Sequence, residues 1–533
     1  MAVSRRRFLA LAGAAVMLLL GGARLVRAQE QARAIHQATR NTRLGAAGVR
    51  LRRLLAKPPA RAKAWEGRER AVLPEPERAP ALPLAEALRR YDPAPGFAAE
   101  PVPAGILARL LHFGYGVTGE SPDGVRLRAA PSAGALYAGE VYVVAERVPG
   151  LEPGVYAYAP LEERLVVLRR GSAIGEVAGA LETPGRAAGA AAAVLLTNVF
   201  RRYRFRYANR GYRYALIDSG HIGENLRLAA TSAGLAEWAP LRFHDERLND
   251  LLGVDGIEEA VCAVHLVGAP GPPAAARADR RLIEHGGSGR PLPEAADDEP
   301  EQYHAWTKLV PAEDPDARAC GRRASEGAPE RAPEVDDETR SEVGPPIELP
   351  RGAPPGATVE AAIAVRRSAQ RFRVEPVAAE GLAFVLDAAR RHAALVRAPG
   401  VALRLFVHRV ADVPPGLYRL GPEPHVLVPL RDGSLAEALV DVCLGQQKAG
   451  EAAVGIAMVG AVVRSAERRG ERAYRDLCLE CGAVGQRIYL AAEAAGLAAR
   501  NLAAFVDDRM NELTGIDRRR EAVLHLTMLG AGD

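Results

Sequence analysis

Apolar residues recur along this chain in an order that is completed once and then begun again. Leu84–Arg90 and Ala104–Phe113 carry apolar positions at helical spacing. Val141–Ala145 is a β-branched run, Gly154-Val155-Tyr156 opens a hairpin strand, and Ala192–Thr197 is an apolar strand. Tyr212–Ala233 reads as a long apolar helix, and Ala260–Val267 as a closing strand. The second series is Val359–Arg367, Ala379–His392, Leu403–Val407, Gly416-Leu417-Tyr418, Val454–Gly460, Tyr474–Ala495 and Ala522–Met528. Helices and strands interspersed in this way predict an α+β fold, a sheet with helices on its faces. Ala and Gly spread along the long helix suit close contact with another helix.

The two series are copies. Gly154-Val155-Tyr156 returns as Gly416-Leu417-Tyr418, Tyr212-Arg213 as Tyr474-Arg475, Ala233–Ala236 as Ala495–Ala498, and Gly253-Val254-Asp255 as Gly515-Ile516-Asp517, each 262 residues later. Upstream, Glu100-Pro101-Val102 matches Glu375-Pro376-Val377, and His36–Thr39 matches His304–Thr307, with slightly different offsets. A period this long means duplicated globular domains.

The chain of 533 residues divides into 1–28, 29–81, 82–268, 269–345 and 346–533. Residues 1–28 read as an export signal. Ser4-Arg5-Arg6-Arg7-Phe8-Leu9 has the twin-arginine pattern, an apolar stretch follows to Ala23, and Val26-Arg27-Ala28 suits cleavage. That stretch is shorter than the roughly 20 residues needed to span a bilayer. The expectation is a periplasmic protein that meets the Tat translocase during export; an uncleaved membrane anchor is the alternative. Residues 29–81, rich in Arg, Ala and Pro, are expected to wrap the surface or be loosely ordered, and 269–345 to be a linker. A net charge of +5 on 135 charged residues, with no basic block carrying interleaved aromatics, argues against nucleic acid as a partner. Cys478 and Cys481 have CxxC spacing inside a helical pattern, which favours small core residues over a redox pair, and no Cys/His set has zinc spacing.

Three segments resemble the nitroreductase superfamily of FMN enzymes, most closely its SagB-type (ThcOx-like) dehydrogenase branch. They are Arg366-Arg367-Ser368-Ala369-Gln370-Arg371-Phe372, then Ala130–Tyr137 containing Pro131-Ser132-Ala133-Gly134-Ala135, and Tyr212-Arg213-Tyr214-Ala215 through Gly220-His221 and Asn225. The resemblance implies two tandem nitroreductase-like α/β sandwich domains forming an intramolecular pseudo-dimer, with FMN at their interface. It implies that Arg366, Arg367, Ser368 and Gln370 hold the phosphate while Pro131–Ala135 packs against the flavin. Guanidinium forks and a hydroxyl suit a phosphate, and Gly134 among small residues lets backbone approach a flat ring. The plain alternatives are a solvated helix end for the arginines and a tight turn for the loop. Gln446, Asn501 and Leu502 fall where the family lines the flavin. Arg206 and Tyr207 occupy the place of the branch's Lys-Tyr pair and are the catalytic candidates.

Each copy retains a different half of this pattern. At the Arg-Arg-Ser position the first copy reads Tyr91-Asp92-Pro93, and Asp92 would repel phosphate; at the Pro-Ser position the second reads near Ala393–Arg397. One composite site and one flavin per chain are therefore expected, with dimerisation internal to the chain. The leading reading is an exported FMN-dependent oxidoreductase acting on a small-molecule or peptide substrate. An azoline dehydrogenase of modified peptides is a second reading, weakened by Arg206 in place of lysine. A non-catalytic flavin-binding or interaction module is a third.

Overall fold

The computed structural model describes residues 26, 28–42, 59–77, 82–90, 96–272, 283–285, 307, 309–311, 343–393, 400–421, 423 and 425–532. The expected export signal lies outside them, apart from Val26 and Ala28, as do Cys320 and most of 269–345.

Each repeat builds one antiparallel sheet. The first runs Arg70–Ala71, Arg164–Arg170, Gly154–Ala159, Gly139–Ala145, Ala192–Val199, Glu259–Gly271 and Gly96–Ala98, with Ala236–Trp238 also paired to Glu259–Gly271. The second runs Ile347–Glu348, Val426–Asp432, Gly416–Leu420, Val401–Val407, Val454–Gly460, Ala522–Gly530 and Ala498–Asn501. The central strands of each are buried on both faces. That explains why they read as continuous apolar runs and do not alternate.

The two long helices, Arg210–Ser232 and Ala473–Ala494, cross at the centre of the molecule. Their contact is glycine against backbone. A Cβ on Gly220 would lie 2.1 Å from the Leu479 carbonyl oxygen, and one on Gly482 would lie 1.9 Å from that of Ile217. Gly220 and Gly482 are equivalent positions of the two repeats, as are Ile217 and Leu479, so a pseudo-twofold axis passes through this crossing. One apolar cluster runs continuously across it, from Leu216 and Ile217 to Leu477, Cys478 and Ile488.

Around the axis the repeats exchange charged side chains. Arg213 of the first repeat donates to Asp507 of the second at 2.7 Å, and Arg475 of the second donates to Asp245 of the first at 2.7 Å. Arg210 joins Asp507, and Arg472 joins Asp245 at 2.6 Å. Arg210 lies 4.6 Å from the Phe505 ring centre, and Arg472 lies 4.1 Å from that of Phe243. All four arginines and both aspartates are buried. Burial alone would raise the Asp507 pKa, but Arg210, Arg213 and His36 overcome it and hold it at about 2. The leading helices are exchanged too: Leu84 N–H donates to the Ala357 oxygen at 2.8 Å and Val359 N–H to the Leu82 oxygen at 3.1 Å.

The lead segment departs from expectation. Residues 28–38 form a helix that buries Ala28, Ala32 and Ile35 in the central cluster. Thr39 Oγ1 lies 3.0 Å from the Tyr474 hydroxyl, and Arg213 donates to His36 Nδ1 at 3.2 Å. The matching Thr307 sits 3.4 Å from the Tyr212 hydroxyl. Thr39 and Thr307, equivalent residues of the repeated lead, therefore each meet the interface tyrosine of one charge cluster. Among the described residues no helix is long and apolar enough to cross a membrane.

Gly220→Ala and Gly482→Ala should each cost about 1–3 kcal/mol through overpacking, read by denaturant unfolding. Gly175→Ala, where a Cβ meets nothing within 4 Å, should be neutral or slightly stabilising. His36 titrates at about 3, lowered first by burial and then by Arg213. The unfolded histidine therefore binds protons more readily than the folded one between its ordinary value and that pH. Stability should fall with acid across this window, by at most roughly 1.4 kcal/mol per pH unit. His36→Gln should flatten the slope.

Candidate functional site

The Pro131–Ala135 loop lies between Arg126–Arg128 and the strand Gly139–Ala145. Its backbone turns through positive φ at Gly134 (63°), Ala135 (53°) and Tyr137 (48°). Glycine takes such a conformation freely; alanine and tyrosine do so only where their surroundings enforce it. Here the enforcement comes from below. Asp218, on the long helix, accepts from Ala133 N–H at 3.1 Å and from the Tyr203 hydroxyl. Ser132 Oγ accepts from Tyr137 N–H at 2.9 Å and lies 2.6 Å from the Tyr203 oxygen. Above the loop stand the two catalytic candidates. A Cβ on Gly134 would lie 2.5 Å from the Tyr207 hydroxyl and 2.7 Å from Arg206 Nη1.

The second repeat meets this loop through Arg366. The helix Val359–Val365, capped by Thr358, stops one residue short of it. The predicted helix ran through Arg367; it ends early because Arg366 leaves to donate across the interface, to the carbonyls of Ala129 at 3.2 Å and Arg128 at 3.3 Å. Arg366 is 4% exposed. Arg367 donates to the Thr118 carbonyl at 2.5 Å and to the Ala364 and Arg366 carbonyls. Both guanidinium groups thus tie the repeats together. Ser368 Oγ lies 2.8 Å from the Tyr489 hydroxyl, which accepts from Asn501 N–H at 2.9 Å.

Asn501 then returns the chain of bonds to the first repeat. Its Oδ1 accepts from Thr527 at 2.7 Å, which fixes the amide so that Nδ2 donates to His221 Nε2 at 2.8 Å. His221 Nδ1 donates to the Ile217 carbonyl at 2.7 Å. The ring is therefore neutral, and burial lowers its pKa to about 4. Gln446 holds the Cys443 and Ala504 carbonyls at 2.9 Å, while Tyr214 and Arg210 hold that of Ala503. The Leu502 side chain turns into the second repeat's core, so only its backbone faces this region. Gln370 is exposed beside Arg500, whose Nη1 donates to the Ala369 carbonyl at 2.6 Å. Arg500 Nε is buried without a partner. Lys448 titrates below its ordinary value, first through burial and then through repulsion by Arg500 and Arg371. An anion at the 368–371 turn would relieve that repulsion and take up the orphaned donor.

The residues named from sequence are thus brought into one connected region, half from each repeat. Sequence reasoning missed Asp218, His221 as a bonded partner, Tyr203 beneath the loop, Tyr489 and the Arg500–Lys448 pair. A signal existed for three of the side chains on the long helix: Tyr214, Asp218 and His221 are spaced i, i+4 and i+7, which puts them on one face.

The pseudo-equivalent region is chemically different. Arg469 replaces Tyr207, Ser465 replaces Tyr203, Glu480 replaces Asp218 and Arg227 replaces Tyr489. Glu480 accepts from Gly400 and Val401 N–H groups and lies 3.7 Å from Arg469. Arg227 is paired with Glu224 and donates to the Arg90 carbonyl. Tyr91–Pro95 and 394–399 lie outside the described residues.

The nitroreductase family model matches residues 96–269 and 363–531. The chain belongs to the nitroreductase family. A protein of Methanocaldococcus jannaschii named a nitroreductase is 32% identical over 159 residues, 30% of this chain and 78% of the relative. A nitroreductase crystal structure from Anabaena variabilis superposes with a TM-score of 0.72 at 24% identity, covering 94% of this chain and 99% of that one. The fold is therefore that of tandem nitroreductase domains, in an oxidoreductase family whose members typically bind flavin, FMN or FAD. Cys478 and Cys481 are buried on the nitroreductase interface helix, with the Cys478 thiol pushed by burial up to about 12. Such neutral thiols are packing residues. Among the described residues no three His, Cys, Asp or Glu side chains gather as a metal site.

Arg366→Met should keep the apolar stem but strand two buried carbonyls, at a cost of about 2–3 kcal/mol. Amide exchange across Ala129–Tyr137 should speed up in the same variant.

Proposed function

We propose that this chain is an exported FMN-dependent oxidoreductase of the SagB-type branch, with a single flavin held between its two repeats. The observation that carries this reading is the bond from Arg366 of one repeat to the backbone leading into Pro131–Ala135 of the other. It joins the two half-patterns that neither repeat has alone. Export rests on the twin-arginine segment Ser4–Leu9.

The residues present suit FMN. Ser368 Oγ, the buried Arg500 Nε and the Lys448 ammonium supply donors and positive charge for a phosphate. The small residues around exposed Gly134 leave space for a flat ring system, with Arg206 and Tyr207 beside it. The flavin, when bound, supplies two-electron chemistry. The chain orients it, through the loop on one side and the Asn501–Leu502 backbone on the other. Arg206 offers a cation and Tyr207 a hydroxyl to a substrate reaching the loop.

Two variants, one in each repeat, test the composite site. Gly134→Val and Arg500→Ala should each weaken FMN binding at least roughly tenfold, measured by flavin fluorescence. Tyr207→Phe should retain the flavin but slow its reoxidation by a dye acceptor. Loss of binding from only one repeat's variant would refute the shared site.

A further inference from the structure

We infer that Asp218 is a positioning residue that acts as a carboxylate, pinning the Pro131–Ala135 loop, and that its protonation loosens the loop. The inference rests on the flavin reading above only for its effect on cofactor binding.

Asp218 is 7% exposed and accepts two of the bonds that hold the loop to the long helix and its neighbours. It accepts from Ala133 N–H and from Tyr203, whose oxygen also meets Ser132. The loop it holds, with the two residues that follow, contains two non-glycine residues at positive φ, Ala135 and Tyr137. Without enforcement that backbone would relax.

The groups bonded to Asp218 are neutral donors, with the buried Arg366 guanidinium acting on the neighbouring Tyr137 and His221. Tyr203 approaches from the helix Phe200–Tyr207, Ser132 from the loop, Tyr115 from the helix Ala104–Tyr115, and Tyr137 from beyond the loop. Tyr214 and the neutral His221 flank it on its own helix. Arg128 and the Arg202–Glu140 pair share the environment of Tyr115. Among the described residues no cation forms an ion pair with Asp218. Its counterpart Glu480, in the repeat whose sequence lacks the Pro-Ser-Ala-Gly motif, has Arg469 instead.

Burial raises the Asp218 pKa to about 7, against the lowering effect of its bonds to Tyr203, Ser132 and Ala133. The sign is opposite to that of a salt-bridged carboxylate. The folded value lies above the unfolded one, so the group lowers stability as pH rises from about 4 through 7. A carboxylate retained at that cost, with hydroxyl donors where the other repeat has an arginine, points to a role for its charge state at the loop.

The test uses the full chain and two readouts. The FMN dissociation constant, followed by fluorescence from roughly pH 5.5 to 8.5, should rise about tenfold on acidification, as a charge-assisted bond gives way to a neutral one. Asp218→Asn should be weak and flat across the range. Tyr203→Phe removes a donor to the carboxylate, so its midpoint should move to higher pH. A pH-independent wild type, or an Asp218→Asn variant that keeps the wild-type profile, overturns the inference. If FMN binds at no pH, the flavin reading fails, and amide-exchange protection of the Ala129–Tyr137 peptide in the flavin-free chain decides. Protection corrected for intrinsic rates should fall as pH is lowered through neutrality in wild type and be low throughout in Asp218→Asn. Protection independent of pH in the wild type overturns the inference.

Discussion

The contact of Gly220 with Gly482 governs this molecule. Helix backbones approach this closely only where both side chains are hydrogen, because any Cβ would occupy the partner's carbonyl oxygen. Equivalent residues meet each other there, so the crossing imposes a twofold relation on everything attached to the two helices. The reciprocal pairs Arg213–Asp507 and Arg475–Asp245 follow from it, as do the reciprocal bonds at the leading helices. A buried ion pair gains little over an apolar substitute but costs a great deal to break on one side. These clusters therefore act mainly to fix register, and neither repeat has a satisfied surface without the other.

Symmetry in the exchanged charge clusters coexists with asymmetry at the two ends of the interface. Residues of the clusters keep their identity in both repeats: Arg210 and Arg472, Tyr212 and Tyr474, Phe243 and Phe505. Other positions on and beside the same helices diverge. Tyr203, Tyr207, Asp218 and Tyr489 give one end of the interface hydroxyls and a carboxylate that shape a loop. Ser465, Arg469, Glu480 and Arg227 give the other end closed charge pairs. Duplication within one chain permits this, since each half can change without changing the other. A homodimer built from one sequence would carry two identical ends.

Much of this was legible in the residues. The repeat offset, the order of helices and strands, and the glycine-bearing long helices foretold tandem domains meeting through a helix crossing. What escaped has physical reasons. The helix over 28–38 hides a short stripe, Ala28, Ala32 and Ile35 at i, i+4 and i+7, inside Arg-rich sequence whose composition suggests a surface strap. Arg366 was placed in a helix by its apolar neighbours, but a carbonyl pair on the other repeat draws it out. Asp218 is one of two carboxylates on its helix, with Glu224, and its importance lies in a loop more than 80 residues earlier. Such long-range pairings leave no local pattern to read.

The most direct test of the composite site is a count. Native mass spectrometry of the full chain, saturated with FMN, gives the number of flavins per chain. One flavin per chain is the result this architecture predicts, since among the described residues only one end of the interface has both the loop and the Ser368–Arg500 turn. Two flavins per chain, or none at saturation, would contradict it.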